Sequence, residues 1–170
     1  LLYFTIYYKK KEAGVIITGS HNPPEYNGFK IMLGEETLYG ETIQKIYAII
    51  RGRKFVKAKP GSQSSYDIIP EYLDYVIQNI RLQRKLKIVV DAGNGTAGVV
   101  AVPIFKRLGA EVIELFCEMD GTFPNHHPDP TLPEALSELI KTVIEKQADL
   151  GVAYDGDGDR IGVIDERGQI

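Results

Sequence analysis

The chain has 170 residues, 44% of them hydrophobic and 25% charged, enough for one sizeable core or two small ones and ordinary for a globular protein. A formal net charge of −3 and a sequence pI near 5.7, with lysines scattered apart from the run at 9–11, provide no basic surface for nucleic acid or an anionic membrane. Cys117 is the only cysteine, which excludes an internal disulfide and points to a reducing compartment, the cytoplasm.

The opening LLYFTIYY is apolar but too short to span a bilayer, and it lacks the ordered charge, apolar stretch and cleavage site of a signal peptide. The chain starts inside this segment and stops at DERGQI just after a strand, so it is expected to be a piece of something larger. The β-branched run GVIIT predicts a short strand, and the TGSHNPP that follows leads into loop, placing Ser20 where the strand ends. Such a place suits an ordinary turn, and it also suits a reacting hydroxyl held by a scaffold. NGFKIML predicts a second strand over 29–33, in which alternation points Lys30 away from Phe29 and Ile31. Ile43, Ile46, Tyr47 and Ile50 recur at helical spacing, residues 56–65 carry loop composition, and a second helix starting near Tyr66 aligns Ile69, Leu73, Val76, Ile77 and Ile80. The charged stretch RLQRKLK then marks an expected boundary, dividing the chain into residues 1–84 and 85–170.

From Lys87 the pattern is simpler: strand KIVVD, turn AGNGTAG, helix VVAVPIFKRLG, strand EVIELF, a long loop to Pro130, helix PEALSELIKTVIEKQ, strand DLGVAY and a strand-like IGVI. This alternation predicts a parallel sheet with helices packed on it over 87–164. Gly93, Gly95 and Gly98 have the spacing of a dinucleotide-binding turn, with Glu111 or Glu114 roughly 20 residues on as a ribose ligand. The same glycines equally serve to bring a helix close to a strand end, and no lysine is present for a Walker-type phosphate loop. In NHHPDP, His126 and His127 stand beside Asp129 as a conceivable second metal site, but the prolines favour a rigid loop and no role is assigned to either histidine.

In YDGDGDRIGVIDE the acids at 155, 157, 159 and 166 imitate the frame of a helix-loop-helix calcium site, yet Arg160 stands where that loop needs glycine and both flanks are strands. The calcium hand is therefore rejected, while a metal is not. Asp155, Asp157 and Asp159 would raise one another's pKa unless a cation sat among them, and they follow an apolar strand, at the sheet edge where ligands bind. All-oxygen ligation favours Mg²⁺, and a phosphorylated Ser20 would supply a further oxygen.

Taken together, ITGSHNPPEYNGFKI at 17–31, VVDAGNGTAG at 89–98, DGTFPNHHPDP at 120–130 and DLGVAYDGDGDRIGV at 149–163 resemble the alpha-D-phosphohexomutase family, and most of all its bacterial phosphomannomutase/phosphoglucomutase branch. The resemblance covers nearly the whole chain. It implies two consecutive three-layer α/β domains, the first incomplete at its N-terminus and carrying the phosphoserine loop, the second truncated near its C-terminal end and carrying the metal loop, with domains 3 and 4 supplied by a longer parent.

It further implies that Ser20 is the phosphorylated serine, that Asp155, Asp157 and Asp159 hold Mg²⁺ together with it, and that His21, Lys30 and Arg160 match the family's active-site histidine, lysine and arginine. The implied reaction moves phosphate between O1 and O6 of mannose or glucose phosphate through a hexose 1,6-bisphosphate. The partners implied are the hexose phosphate and the remaining domains, not nucleic acid or membrane. Asn22 and Asn27 are expected to fix the loop. Alternatives are a phosphoglucosamine mutase, a Mg²⁺-dependent sugar phosphatase, and a non-catalytic nucleotide-binding module. The isolated fragment is expected to be inactive.

Overall fold

In the computed structural model, which describes residues 1–23 and 25–170, the apolar opening run is a helix, α1 (Leu2–Lys9), ended by Lys10 in the left-handed conformation. It packs Ile6, 3% exposed, toward the first sheet, whose strands are β1 (Ala13–Thr18), β2 (Gly28–Leu33) and β3 (Glu36–Thr37) in that order. Gly14 permits the approach: a Cβ there would lie 2.7 Å from Leu2 Cδ1 and 2.9 Å from Ile6 Cδ1. β2 and β3 are antiparallel, with Met32 opposite Thr37, and Gly34 at φ +56° makes the turn between them. A helix α2 (Glu41–Arg51) follows, and the loop expected at 56–65 is irregular and exposed throughout.

Two compact units result, Leu1–Ile17 with Phe29–Pro70, and Thr18–Gly28 with Glu71–Ile170. The serine loop thus groups with the later part of the chain. Pro24, within that loop, lies outside the described residues. The next helix, α3 (Ile69–Asn79), has its first turn capped by the Asp67 carboxylate, which accepts the Ile69 amide at 3.0 Å. From Glu71 onward it belongs to the second unit, where Asp74 pairs with Arg107 at 2.6 Å.

The second unit is a three-layer arrangement around β4 (Lys87–Asp91), β5 (Glu111–Leu115), β6 (Leu150–Tyr154) and β7 (Ile161–Asp165), ordered β5-β4-β6-β7. β4 is central, which explains why KIVVD is apolar on both faces. Its Ile88 and Val90, with Val152 of β6, pack under Ala101 and Val102 of α4 (Gly98–Arg107). On the other face Val89, Ala153 and Ile164 pack under Leu139 and Val143 of α5 (Ser137–Lys146), which is preceded by a 3-10 turn at Pro133–Leu136. Gly151 lets α5 cross closely, since a Cβ there would meet Val143 and Leu139 at 2.7 and 2.8 Å.

One expectation is corrected. β5, β4 and β6 are parallel, but β7 runs antiparallel to β6, with Tyr154 opposite Ile161 and Leu150 opposite Asp165. A parallel return needs a crossover of a dozen or more residues, and only 155–160 lie between the two strands. The chain therefore turns back as a hairpin whose connection is the acidic loop. Among the described residues no helix is long and apolar enough to cross a membrane.

Candidate functional site

The acidic loop is organised by its first residue. Asp155 is fully buried, and its Oδ1 accepts the amides of Asp159 at 2.9 Å and Arg160 at 3.1 Å, while Gly158, at φ +70°, donates its amide to the Asp155 carbonyl at 3.0 Å. The glycines of DGDGD are thus what lets the loop curl around one carboxylate. The curl brings Asp155, Asp157 and Asp159 together, with one carboxylate oxygen of each within 4.8 Å of the others. Among the described residues this is the one group of three or more candidate ligands so arranged.

Ser20 lies in the same unit and reaches this group. Its Oγ is 2.9 Å from Asp155 Oδ2 and 3.2 Å from Asp157 Oδ1, with His21 Nδ1 at 3.2 Å. A hydroxyl has one proton and cannot satisfy two anionic oxygens at once. Three carboxylate oxygens and the Ser20 hydroxyl converging here are the donor set of a hard divalent cation, and the residues present fit Mg²⁺. Ser20 itself sits at φ +52°, an uncommon conformation for a residue with a side chain, and its amide donates to Thr18 Oγ1 at 2.8 Å. The turn is closed by the Asn22 amide on the Gly19 carbonyl at 2.9 Å. Gly156 completes the approach: a Cβ at this position would overlap the Ser20 carbonyl.

Arg160 links the loop to the NHHPDP segment. Its Nε donates to Asp155 Oδ2 at 3.0 Å and its Nη1 to Asp129 Oδ1 at 3.1 Å, whereas Nη2 is buried and has no partner among the described residues. Burial works against the guanidinium charge, but the hydrogen bond and charge of Asp155, with Asp129 adding to them, leave its pKa above the ordinary value. For Asp129 burial likewise opposes ionisation, and the Thr131 hydroxyl and amide together with Arg160 outweigh it, so its pKa lies below the usual carboxylate value. His126 has a structural place that the sequence did not disclose. Its Nε2 faces both oxygens of buried Asp91 at 3.0 and 3.1 Å and its Nδ1 faces the His127 carbonyl at 2.9 Å. The two histidines and Asp129 do not converge on one point. His127 instead presents its ring edge-on to His21, with centroids 6.5 Å apart.

The glycine-rich turn is the junction of these loops. Thr96 donates its amide to the Gly156 carbonyl at 2.9 Å, Asn94 donates its amide to Phe116 at 2.7 Å, Gly95 to Ala92 at 2.7 Å, and Gly93 to Asp91 Oδ1 at 2.8 Å. The amides of residues 93–96 are therefore already engaged within the protein. A Cβ on Gly95 would collide with the backbone of Gly156 at 2.6 Å, and one on Gly93 would meet Pro128 at 3.0 Å. Glycine is needed here because Gly156 and Pro128 of the protein itself approach the turn.

Of the residues singled out in the sequence, Ser20, His21, Asp155, Asp157, Asp159 and Arg160 all lie in the second unit, while Lys30 is half-buried on β2 in the first. Asp91 and Thr131 were not singled out, and Asp129 was considered only beside His126 and His127 as a metal ligand, not as a partner of Arg160. The signal for Asp129 was present in Pro128-Asp129-Pro130, a carboxylate locked between two prolines, but its partner is 31 residues away.

Residues 70–168 match the family pattern described as "Phosphoglucomutase/phosphomannomutase, alpha/beta/alpha domain II", and residues 1–57 match the corresponding domain I. Over 171 aligned residues the chain is 50% identical to a phosphoglucomutase of Neisseria meningitidis serogroup A, which covers 100% of the chain and 37% of that protein. It is 47% identical over 170 residues to a phosphomannomutase/phosphoglucomutase of Pseudomonas aeruginosa, covering 100% of the chain and 36% of that protein. A crystal structure of a phosphoglucomutase/phosphomannomutase family protein from Burkholderia thailandensis superposes with a TM-score of 0.90 at 48% identity, covering 93% of this chain and 34% of that one. The chain thus spans little more than a third of the length of the relatives it matches. With both domain patterns matched and the fold reproduced, the chain belongs to the phosphoglucomutase/phosphomannomutase family of alpha-D-phosphohexomutases.

Proposed function

We propose that the protein containing this chain is a Mg²⁺-dependent phosphohexomutase, which moves phosphate between O1 and O6 of mannose or glucose phosphate. The observation that carries this reading is the placement of Ser20 Oγ, 2.9 Å from Asp155 and 3.2 Å from Asp157 within a cluster of three carboxylates. In the resting enzyme Ser20 carries a phosphoryl group. A sugar hydroxyl attacks its phosphorus, the bond from phosphorus to Ser20 Oγ breaks, and a hexose 1,6-bisphosphate forms. After the sugar turns over, Ser20 Oγ attacks the phosphate at the other end and recovers the phosphoryl group, releasing the isomeric monophosphate.

Each side chain has a role in this scheme. Asp155, Asp157 and Asp159 would hold Mg²⁺ together with the oxygens at Ser20, and the ion would supply charge neutralisation at the phosphoryl group. His21, whose Nδ1 is 3.2 Å from Ser20 Oγ, is positioned to take or return a proton there. Arg160 offers its unpartnered Nη2 to phosphate oxygen. A role for Lys30 in phosphate contact or proton transfer rests on the resemblance of ITGSHNPPEYNGFKI alone. The parent's further domains would recognise the sugar and clamp the distal phosphate, and the single thiol agrees with a cytoplasmic enzyme.

The test is mass spectrometry of phosphopeptides from full-length protein incubated with labelled glucose 1,6-bisphosphate. Label on Ser20 that chases into hexose monophosphate supports the mutase. Label that leaves only as inorganic phosphate indicates a phosphatase, and absence of label from Ser20 in active enzyme overturns the mechanism.

A further inference from the structure

We propose that Asp129 is a positioning residue, which acts through Arg160 and fixes the direction in which that guanidinium presents its free donor. The inference rests on the mutase reading for its substrate class, while its geometry stands apart from it.

A guanidinium is planar and its five N–H bonds form a rigid fork. Left beside one carboxylate, it turns to bind both oxygens with two parallel donors, which uses up its inner edge and leaves its outer edge in no particular direction. Arg160 does not do this. Its Nε is on Asp155 Oδ2 at 3.0 Å, while its Nη1 is drawn to a second carboxylate, Asp129 Oδ1, at 3.1 Å. Two donors held by two different acids fix the plane of the group and its rotation within that plane. The direction of Nη2 is then determined. That nitrogen is buried and has no partner among the described residues, although native proteins rarely leave a buried donor unmet unless a ligand takes it.

Asp129 is itself unable to follow the arginine. It is 8% exposed, its Oδ1 also accepts the Thr131 hydroxyl at 2.7 Å and the Thr131 amide at 3.0 Å, and prolines stand on both sides of it. The segment is tied down further by Asn125, which donates to the Asn94 side chain at 2.7 Å, and by His126 on Asp91 at 3.0 Å. The 120–130 loop is thereby a strut from the glycine turn to the arginine. Without it Nη1 loses its acceptor, the guanidinium is free to turn about its bond to Asp155 Oδ2, an oxygen that Ser20 Oγ already shares, and Nη2 swings away from the ligand.

A double-mutant cycle in the full-length protein tests this, with R160A, D129A and the double variant assayed for hexose phosphate isomerisation and for binding of glucose 1,6-bisphosphate by calorimetry. D129A is expected to weaken binding and lower kcat/KM by roughly 10-fold or more, yet to do almost nothing further once Arg160 is gone. D129N, which keeps an oxygen for Nη1, should recover most of the loss, a rescue that a loop merely unfolded by D129A would not show. Should D129A fail to fold, T131V carries the cycle, since it removes the 2.7 Å hydroxyl that steadies Asp129. Additive losses in binding and turnover overturn the proposal, as does wild-type protein with no affinity for the bisphosphate. Non-additive binding without any isomerisation would leave Asp129 its role and remove the mutase reading instead.

Discussion

Gly156 stands so close to Ser20 that the Ser20 carbonyl occupies the space of any side chain at 156. The main chains of two loops, 135 residues apart at Ser20 and Asp155, meet there without side chains between them, and this contact sets the depth at which the hydroxyl enters the carboxylate cluster. Gly156→Ala is therefore expected to push Ser20 away from Asp155 and reduce phosphoryl transfer by roughly 100-fold, the penalty of a displacement near 1 Å at a reacting group. Labelling of Ser20 by glucose 1,6-bisphosphate measures it, and labelling at the wild-type rate would show that the contact is dispensable.

Asp155 and Asp159 should separate on mutation. Asp155 is fully buried and accepts the Asp159 and Arg160 amides as well as the Arg160 side chain, so Asp155→Ala leaves loop donors unmet and should cost about 1–3 kcal/mol of stability. Asp159 is exposed, and Asp159→Asn removes one of three like charges, so it should leave stability unchanged or slightly raised while weakening Mg²⁺ binding. Urea denaturation and Mg²⁺ calorimetry, run on both variants, check the split. Equal Mg²⁺ affinity in wild type and D159N would remove Asp159 from the ligand set.

The pairing of His126 with Asp91 predicts a pH dependence of definite sign. Both ring nitrogens face acceptors, so the ring is held as a double donor, and its pKa lies above the ordinary 6.5, chiefly through the hydrogen bond to Asp91, with burial opposing and the His127 carbonyl adding. A pKa raised by folding contributes stability that is complete below about 6.5 and is lost as pH rises through the folded value. The stability advantage of wild type over His126→Gln should accordingly shrink as pH rises above about 6.5 in a denaturation series. A difference that grows with pH would contradict the charged assignment.

Cys117 is expected to be unreactive in the folded protein. Burial, followed by the charge of Glu114, pushes its thiol up to about 11, and its Sγ lies 3.3 Å from the carbonyls of Val90 and Leu115. Only about one thiol in a few thousand is then ionised at pH 7.5. Alkylation by iodoacetamide should be slow in buffer and fast in denaturant, and rapid labelling of native protein would show that the thiol is open.

The alternation of strands and helices after Lys87 was legible because β4 and β6 carry apolar residues on both faces at their centres and their helices present regular stripes. The opening LLYFTIYY gave no usable period: its apolar residues cover all sides, and only the approach of Leu2 and Ile6 to Gly14 shows how the helix is seated. The direction of β7 could have been deduced from the brevity of 155–160, since connection length decides it. The glycine turn was ambiguous for a physical reason. Nucleotide and protein backbone make the same demand for a missing Cβ at Gly93 and Gly95, and only the third dimension tells which one fills the space. For the candidate site, the serine and the acids stand out as local motifs, whereas Asp129 and Asp91 act through Arg160 and His126, partners that no local pattern connects to them.

The acidic loop is the tip of a hairpin, and this makes its length a matter of strand register. Tyr154 and Ile161 pin its two ends, and Ile164, fully buried, alternates with Val163, half exposed, on the strand that returns. One residue inserted or deleted between 155 and 160 would have to be absorbed as a bulge at the acids or passed along β7, turning Ile164 to solvent and Val163 into the core. Substitution can tune this loop, but a change in its length carries into the whole sheet edge.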